Sequence, residues 1–284
     1  MVTVHNFSSG LLNPALGYAV SCLGAFLGLR CVMQARVNDG RRRKGWLCLA
    51  AVALGATGIW AMHFIAMLGF TIPGQTIQYS VPLTLASMLL AIVVVGAGLF
   101  IVAYGGGGWK RLLAGGVIVG LGVASMHYIG MEAMVMPDSM SYSPLLVAAS
   151  VVIAVVAGTA ALWIGTWVRG WLPTLGASMV MGAAVSGMHY TGMAAMRVSP
   201  GAPMAMDGVT GEALLLPMIV GIGLVSLILT IVISLSPSEE EMAMDERVRQ
   251  NLAELEHKQR EQARHARDYV GTQAARYPRG PRYR

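Results

Sequence analysis

Met188-His189-Tyr190-Thr191-Gly192-Met193 lies near the end of an apolar run over residues 173–196, and it decides how the chain reads. Two other segments nearly repeat it. They are Met62-His63-Phe64-Ile65-Ala66-Met67 and Met126-His127-Tyr128-Ile129-Gly130-Met131. The three histidines stand 64 and 62 residues apart. A period of about 63 residues is long enough for one helical hairpin that crosses a membrane twice. Two crossings return the chain to the same side, so every copy runs in the same direction. The repeats are therefore parallel, related by an axis along the membrane normal.

Working outward from the motif gives seven apolar runs of membrane-spanning length, which need about 20 residues each. They cover approximately 14–35, 46–70, 81–104, 112–134, 144–168, 173–196 and 213–235. Three hairpin repeats, about 14–70, 81–134 and 144–196, carry the motif on their second helix. The helix at 213–235 is extra. The expected fold is an all-α membrane protein of seven transmembrane helices. Composition agrees: 55% of the residues are hydrophobic and only 12% are charged, against about 25% charged in a soluble domain. That excludes a disordered chain, a soluble nucleic-acid-binding domain and an ordinary cytosolic enzyme.

The basic residues set the expected orientation. Arg36, Arg41, Arg42, Arg43 and Lys44 fall in one connector, Lys110 and Arg111 in another, and Arg169 in a third. Ten more follow residue 235. Segments 1–13, 71–80 and 135–143 have none, and 197–212 has only Arg197. Arg30 sits at the basic end of the first span. The N-terminus, 1–13, is thus expected outside and the C-terminus inside. The net charge of +6 becomes a topology signal and not a nucleic-acid footprint.

Each histidine then lies about seven residues before the outer end of its helix, or roughly 10 Å below it. His and the Met at i+4 share one helical face. Met134 and Met196 extend the stripe in the second and third copies, where the first has Phe70. Gly55, Gly58, Gly120, Gly122, Gly182 and Gly187 precede the motifs. Small residues of this kind, and Gly116-xxx-Gly120, allow close helix approach. Of the 20 methionines, 12 lie in the motifs and the outer loops that follow, with Met136, Met140, Met204 and Met206 among them. A His–Met set without carboxylates suits copper better than Mg²⁺ or Ca²⁺ or Zn²⁺. The candidate ligands are Met62, His63, Met67, Met126, His127, Met131, Met188, His189 and Met193. Alternatives are structural hydrogen bonding between helices, a proton or ion path, and haem ligated by His/His or His/Met. Glu132 could orient a histidine or face headgroups, and His5 could add an outer ligand.

The remaining features carry less chemistry. Cys22, Cys31 and Cys48 show no paired metal spacing and read as structural thiols. Gly105–Gly108 reads as an inner turn. Segment 236–284 is expected to be a cytoplasmic tail, with a solvated helix over about Glu239–Asp268 and a disordered Arg/Pro/Tyr end. Attraction of this tail to anionic lipid is a further expectation.

Met188-His189-Tyr190-Thr191 spells the signature of the MHYT family of bacterial integral-membrane sensor domains, and residues from about 14 to 235 resemble that family. The resemblance implies a multi-pass protein of the bacterial inner membrane that binds copper through Met and His and senses O2, CO or NO. Copy one departs with Phe64-Ile65 for Tyr-Thr, and copy two with Ile129 for Thr. Many family members carry a diguanylate cyclase, phosphodiesterase or kinase domain. With 49 residues after 235, this chain is expected to be no enzyme and to signal through a separate cytoplasmic protein. The alternative class is a copper-binding membrane protein for metal handling or delivery. The inner halves of the helices offer only Met33, Met179, Met181 and the cysteines as soft ligands, which favours sensing over transport.

Overall fold

The computed structural model describes residues 8, 10–106, 108–201, 207–237 and 239–276. The possible outer soft ligands His5, Met204 and Met206, and the segment 277–284, lie outside the described residues. The chain forms two units, Met1–Ser236 and Pro237–Arg284.

The first unit contains α1 (Leu12–Val37), α2 (Gly40–Met67), α3 (Val81–Tyr104), α4 (Trp109–Glu132), α5 (Pro144–Trp167), α6 (Trp171–Ala195) and α7 (Gly211–Ser234). Six of these are long and apolar enough to cross a membrane. Helix α6 has the length but is not among the six. Ser178, Gly182, Ser186, Gly187 and His189 dilute its apolar run. Helix α2 begins six residues before the expected span, with Arg41–Lys44 in its first turns. The basic connector is thereby shortened to Asn38 and Asp39.

The helices pack in chain order from α1 to α6, and α6 closes the ring against α1. Helix α7 packs on α1 and the middle of α2. Small residues set these contacts, because helix association inside a membrane depends on close packing. Gly24 lies on the backbone of Gly58, Gly55 on Ile92, and Gly120 on Val155. Gly116 is fitted to Thr159 of α5. An added Cβ at any of these glycines would collide with its neighbour.

One feature breaks the repetition. Ala53–Ala61 in α2 is a nine-residue π-helix, whereas α4 and α6 are α-helical throughout. A π segment accommodates an extra residue within the helix, so offsets counted across it are one residue longer than in an α-helix. Trp60 helps to fix it: its indole Nε1 donates to Thr84 O and to Ser87 Oγ, both at 3.1 Å.

Five short strands lie at the motif end of the ring. They are β1 (Gln78–Tyr79), β2 (Met134–Val135), β3 (Ser139–Tyr142), β4 (Met196–Ser199) and β5 (Val209–Thr210). Their order is β2-β1-β5 in one sheet and β3-β4 in the other, all antiparallel. The same joint recurs twice. Ser80 N donates to Ala133 O, and Ser143 N donates to Ala195 O, each at 2.8 Å. Each ties the start of one helix to the end of the motif helix that comes next in the chain. Asp138 accepts from Gln75 Nε2 at 3.0 Å and from Gly201 N at 3.4 Å, which joins three connectors.

At the opposite, basic end, guanidinium groups hold helix C-termini, where the last carbonyls lack helical partners. Arg36 donates to Thr166 O and Val168 O at the end of α5. Arg43 donates to Ala103 O at the end of α3 and lies 4.8 Å over the Tyr104 ring. Trp109, Trp163, Trp167 and Trp171 are exposed at this end, as expected where amphipathic rings meet a membrane–water interface. Leu89, Val93, Val152, Val156, Leu216 and Ile219 are exposed on α3, α5 and α7, surfaces suited to lipid.

The second unit is α8 (Glu239–Arg276), a helix of 38 residues. It continues past Asp268, where the sequence pattern predicts the onset of disorder. Ion pairs at i,i+4 spacing, Glu254–Lys258 at 2.7 Å and Glu256–Arg260 at 3.6 Å, run along its exposed surface. Each contributes a few tenths of a kcal/mol, about 0.3–0.5.

Candidate metal centre

Helices α2, α4 and α6 each deliver one histidine from near their ends. Pairing through the strands and the Gly contacts brings the three ends together. His63, His127 and His189 are each 1% exposed and form one cluster. His63 Nδ1 lies 2.9 Å from His189 Nδ1 and 3.0 Å from His127 Nδ1. Ring centroids are 4.7, 5.0 and 5.2 Å apart, with interplanar angles of 68°, 77° and 88°. The rings form a small three-bladed propeller with Nδ1 atoms toward its axis. Among the described residues, this is the one group of three or more His, Cys, Asp or Glu side chains placed to hold a metal ion.

The first neighbours of each ring also repeat. The aromatic residue after each histidine packs edge-on against it. Phe64 lies 5.0 Å from His63, Tyr128 4.9 Å from His127, and Tyr190 4.9 Å from His189. The ring makes this contact, which is why Phe can serve in copy one. The Tyr128 hydroxyl has a separate partner, Ser150 Oγ at 2.7 Å. On the other side, His63 Nε2 lies against Gly130, and His127 Nε2 against Gly192. A Cβ at either glycine would collide with the imidazole. Each of these two rings therefore rests on the motif glycine of the next copy, three residues after that copy's own histidine. Ala66 holds the corresponding place in copy one. The sequence signal was visible as Met-His-x-x-Gly-Met, but only contact between copies gives it meaning.

Hydrogen bonding cannot satisfy the cluster. A neutral imidazole nitrogen has either one hydrogen or one lone pair. His63 Nδ1 can therefore make one well-directed N–H···N bond, not two. All three Nε2 atoms are buried without a hydrogen-bond partner. No carboxylate among the described residues reaches the rings: Glu132 is exposed and accepts from Tyr142 OH at 3.1 Å. Burial, and then the Glu132 carboxylate, hold the Tyr142 phenol above the ordinary tyrosine range.

The histidines are brought together, and the motif methionines are buried on the same helices. Met62, Met126 and Met188 are 1%, 1% and 2% exposed, and Met67, Met131 and Met193 are 0%, 0% and 4% exposed. The side chain of Met62 lies beside Gly17 of α1. Cys22, Cys31 and Cys48 are free and take no part in the cluster. The π segment ahead of His63 and the glycine seats of the rings were not anticipated from sequence.

The comparisons agree with this repeated architecture. MucR of Pseudomonas aeruginosa, a bifunctional diguanylate cyclase/cyclic di-GMP phosphodiesterase, is 40% identical over 186 residues, which are 64% of this chain and 27% of MucR. NbdA of the same organism, a cyclic di-GMP phosphodiesterase, is 35% identical over 201 residues, 68% of this chain and 25% of NbdA. The signalling protein YkoW of Bacillus subtilis is 32% identical over 187 residues, 63% of this chain and 23% of YkoW. The chain thus matches about a quarter of the length of these relatives. No solved structure matches it. The MHYT family model, described as a bacterial signalling protein N terminal repeat, matches residues 57–115, 120–178 and 182–244. Each matched segment opens in a motif helix and runs into the next helix, half a hairpin later than the phase read from the sequence. With three copies covering more than half of its length, this chain belongs to the MHYT family of bacterial signalling repeats.

Proposed function

We propose that His63, His127 and His189 are the primary ligands of a copper ion in a bacterial inner-membrane sensor. The observation that carries this reading is the convergence of three Nδ1 atoms in a buried, carboxylate-free site. Metal–imidazole bonds of about 2.0 Å in a trigonal set put nitrogens about 3.5 Å apart. The rings need to open by about 0.5 Å to reach that spacing, which is within the range of small side-chain rotations. Neutral imidazoles and thioethers favour soft Cu(I), and one positive charge is less costly than two in a low-dielectric site. Met62, Met67, Met126, Met131, Met188 and Met193 are proposed as the surrounding thioether set. Haem fits poorly. Its macrocycle must sit between two axial nitrogens, and a separation of 2.9 Å leaves no gap for it.

The proposed topology has seven spans, α6 included, with the N-terminus outside and the C-terminus in the cytoplasm. The basic end, with Arg36, Arg43 and the tryptophans, supports it. A copper ion held near the outer face would supply a soft open position for O2, CO or NO. The chain's own part is positional: the strands shield the site, and the three motif helices couple ligand geometry to helix packing. The output is proposed to reach a cytoplasmic signalling protein, and MucR and NbdA point to cyclic di-GMP turnover as its class.

Metal analysis of the purified protein, beside His63→Ala, His127→Ala and His189→Ala, tests the site. Stoichiometric copper in the wild type and its loss in each variant is the expected result. Equal trace metal in all four proteins would overturn the reading. Copper uptake into proteoliposomes would instead favour metal delivery.

A further inference from the structure

A cavity of 70 Å³ lies within the helix ring, and the motif register fixes its position. Ile59, Val123 and Val185 line it, each four residues before a motif histidine. Residues four apart on a helix lie on one face, one turn apart. The cavity therefore begins one turn beneath the three imidazoles, on the side facing the basic end. One turn further, Val119 and Met181 line it eight residues before their histidines. In α2 the lining residue is Leu54, nine before His63, the offset a π-helix introduces. The cavity is thus coaxial with the histidine cluster and reaches about 12 Å below it.

Its chemistry is uniform. Ser21 is the one residue with a polar side chain among those lining it. A buried water needs two to four polar partners, and a single hydroxyl does not supply them. Dry apolar cavities of about 150 Å³ take up benzene or xenon. This one has room for a smaller guest of the same character. Ions and polar metabolites are excluded by the lining, and larger apolar molecules by the volume. Val32, Leu99, Leu162 and Gly165 also line a cavity of 240 Å³ at the basic end, so the two spaces adjoin across shared side chains.

We propose that this cavity binds a small apolar gas molecule directly beneath the histidine cluster. The inference deepens the sensor reading, because it gives the gas a residence beside the proposed metal, but occupancy of the cavity needs no metal. Xenon is the probe. Xenon NMR on the metal-free protein in nanodiscs should show a saturable site in the wild type. Val123→Phe fills the cavity from α4, and Ala161→Phe fills it from α5. Both should abolish the xenon site while leaving helix content by circular dichroism unchanged. If Val123→Phe does not fold, Ala161→Phe decides. No saturable xenon in the wild type, or full xenon binding in a folded filled variant, overturns the proposal. Xenon binding in a protein that takes no copper would leave this site standing and remove the metal reading; copper without xenon would do the reverse.

Discussion

Gly130→Ala and Gly192→Ala each place one methyl group where a histidine ring now rests. The added carbon would collide with Nε2 of His63 in the first variant and of His127 in the second. A carbon needs about 3.5 Å from a ring atom, so the imidazole has to retreat by about 1 Å or more. The 3.0 Å Nδ1 contact between His63 and His127 is then disturbed in both variants, and the 2.9 Å contact of His63 with His189 in the first. Metal sites tolerate about 0.2 Å in ligand position. Displacement of a ligand through its support typically costs about 10–100-fold in metal affinity. Overpacking by one methyl costs about 1–3 kcal/mol of stability. Both effects should be visible in a Cu(I) titration against a competing chelator and in thermal melts in detergent. Ala66→Gly is the control at the equivalent position of copy one. It removes a methyl, costs about 1 kcal/mol as a helix glycine and should leave copper affinity unchanged. If both alanine variants melt lower yet bind copper as tightly as the wild type, the glycine seats do not position the ligands and the reasoning fails.

Three other perturbations test separate links. Deleting Ala56 removes the residue by which the π segment exceeds α-helical spacing and leaves Leu54 eight residues before His63, as Val119 and Met181 stand before their histidines; His63 should keep its aim and copper binding should persist at unchanged helix content, whereas loss of copper would show that the π turn itself aims the ligand. Arg36→Lys replaces a guanidinium that serves Thr166 O and Val168 O together, which an ammonium cannot match in geometry; a loss of about 1–3 kcal/mol in thermal stability is expected, with copper content unaffected. Tyr142 binds its proton more tightly folded than unfolded, so its contribution is complete below the unfolded value of about 10 and is lost as pH rises beyond it; melts across that range should decline less steeply for Tyr142→Phe, and parallel profiles would argue against the buried phenol.

The helices were legible in the sequence because apolar length and the tripled motif are strong signals. Asn38–Asp39 and Pro144 mark breaks that any reading would find. Less legible was the boundary of α2. Arg41, Arg42, Arg43 and Lys44 look like a loop by composition, but Arg43 is anchored on Ala103 O and the Tyr104 ring, so the helix can begin among them. The π segment was invisible: Ala53–Ala61 has the same small-residue character as the matching stretches of α4 and α6. Its cause is tertiary, in backbone contact with Gly24 on one side and Ile92 on the other. The strands were missed because β1, β2 and β5 are two residues long and β3 and β4 only four, too short to stand out beside the apolar runs. The repeat phase was ambiguous for a different reason. An odd helix can be assigned to either end of a chain of hairpins. The family match places the odd one first, whereas packing puts α1 in the ring and α7 against its outside.

Triplication also bears on the proposal of an ion over a structural hydrogen-bond network. Two facing imidazoles can pair as donor and acceptor and leave nothing unsatisfied between them. Three around one axis cannot alternate, because each Nδ1 has one hydrogen or one lone pair. A bond made between His63 and His189 leaves His127 Nδ1 facing a nitrogen already engaged. In a buried site an unmet polar group costs about 1–3 kcal/mol, so packing alone gives no reason for this convergence. A single cation removes the mismatch, since all three lone pairs can then point the same way and no donor is required at the centre. Extra protonation would also supply a positive charge, but without a carboxylate beside the rings that charge has no counter-ion. A soft metal ion bonded to all three nitrogens is the arrangement in which an odd number of histidines is an advantage.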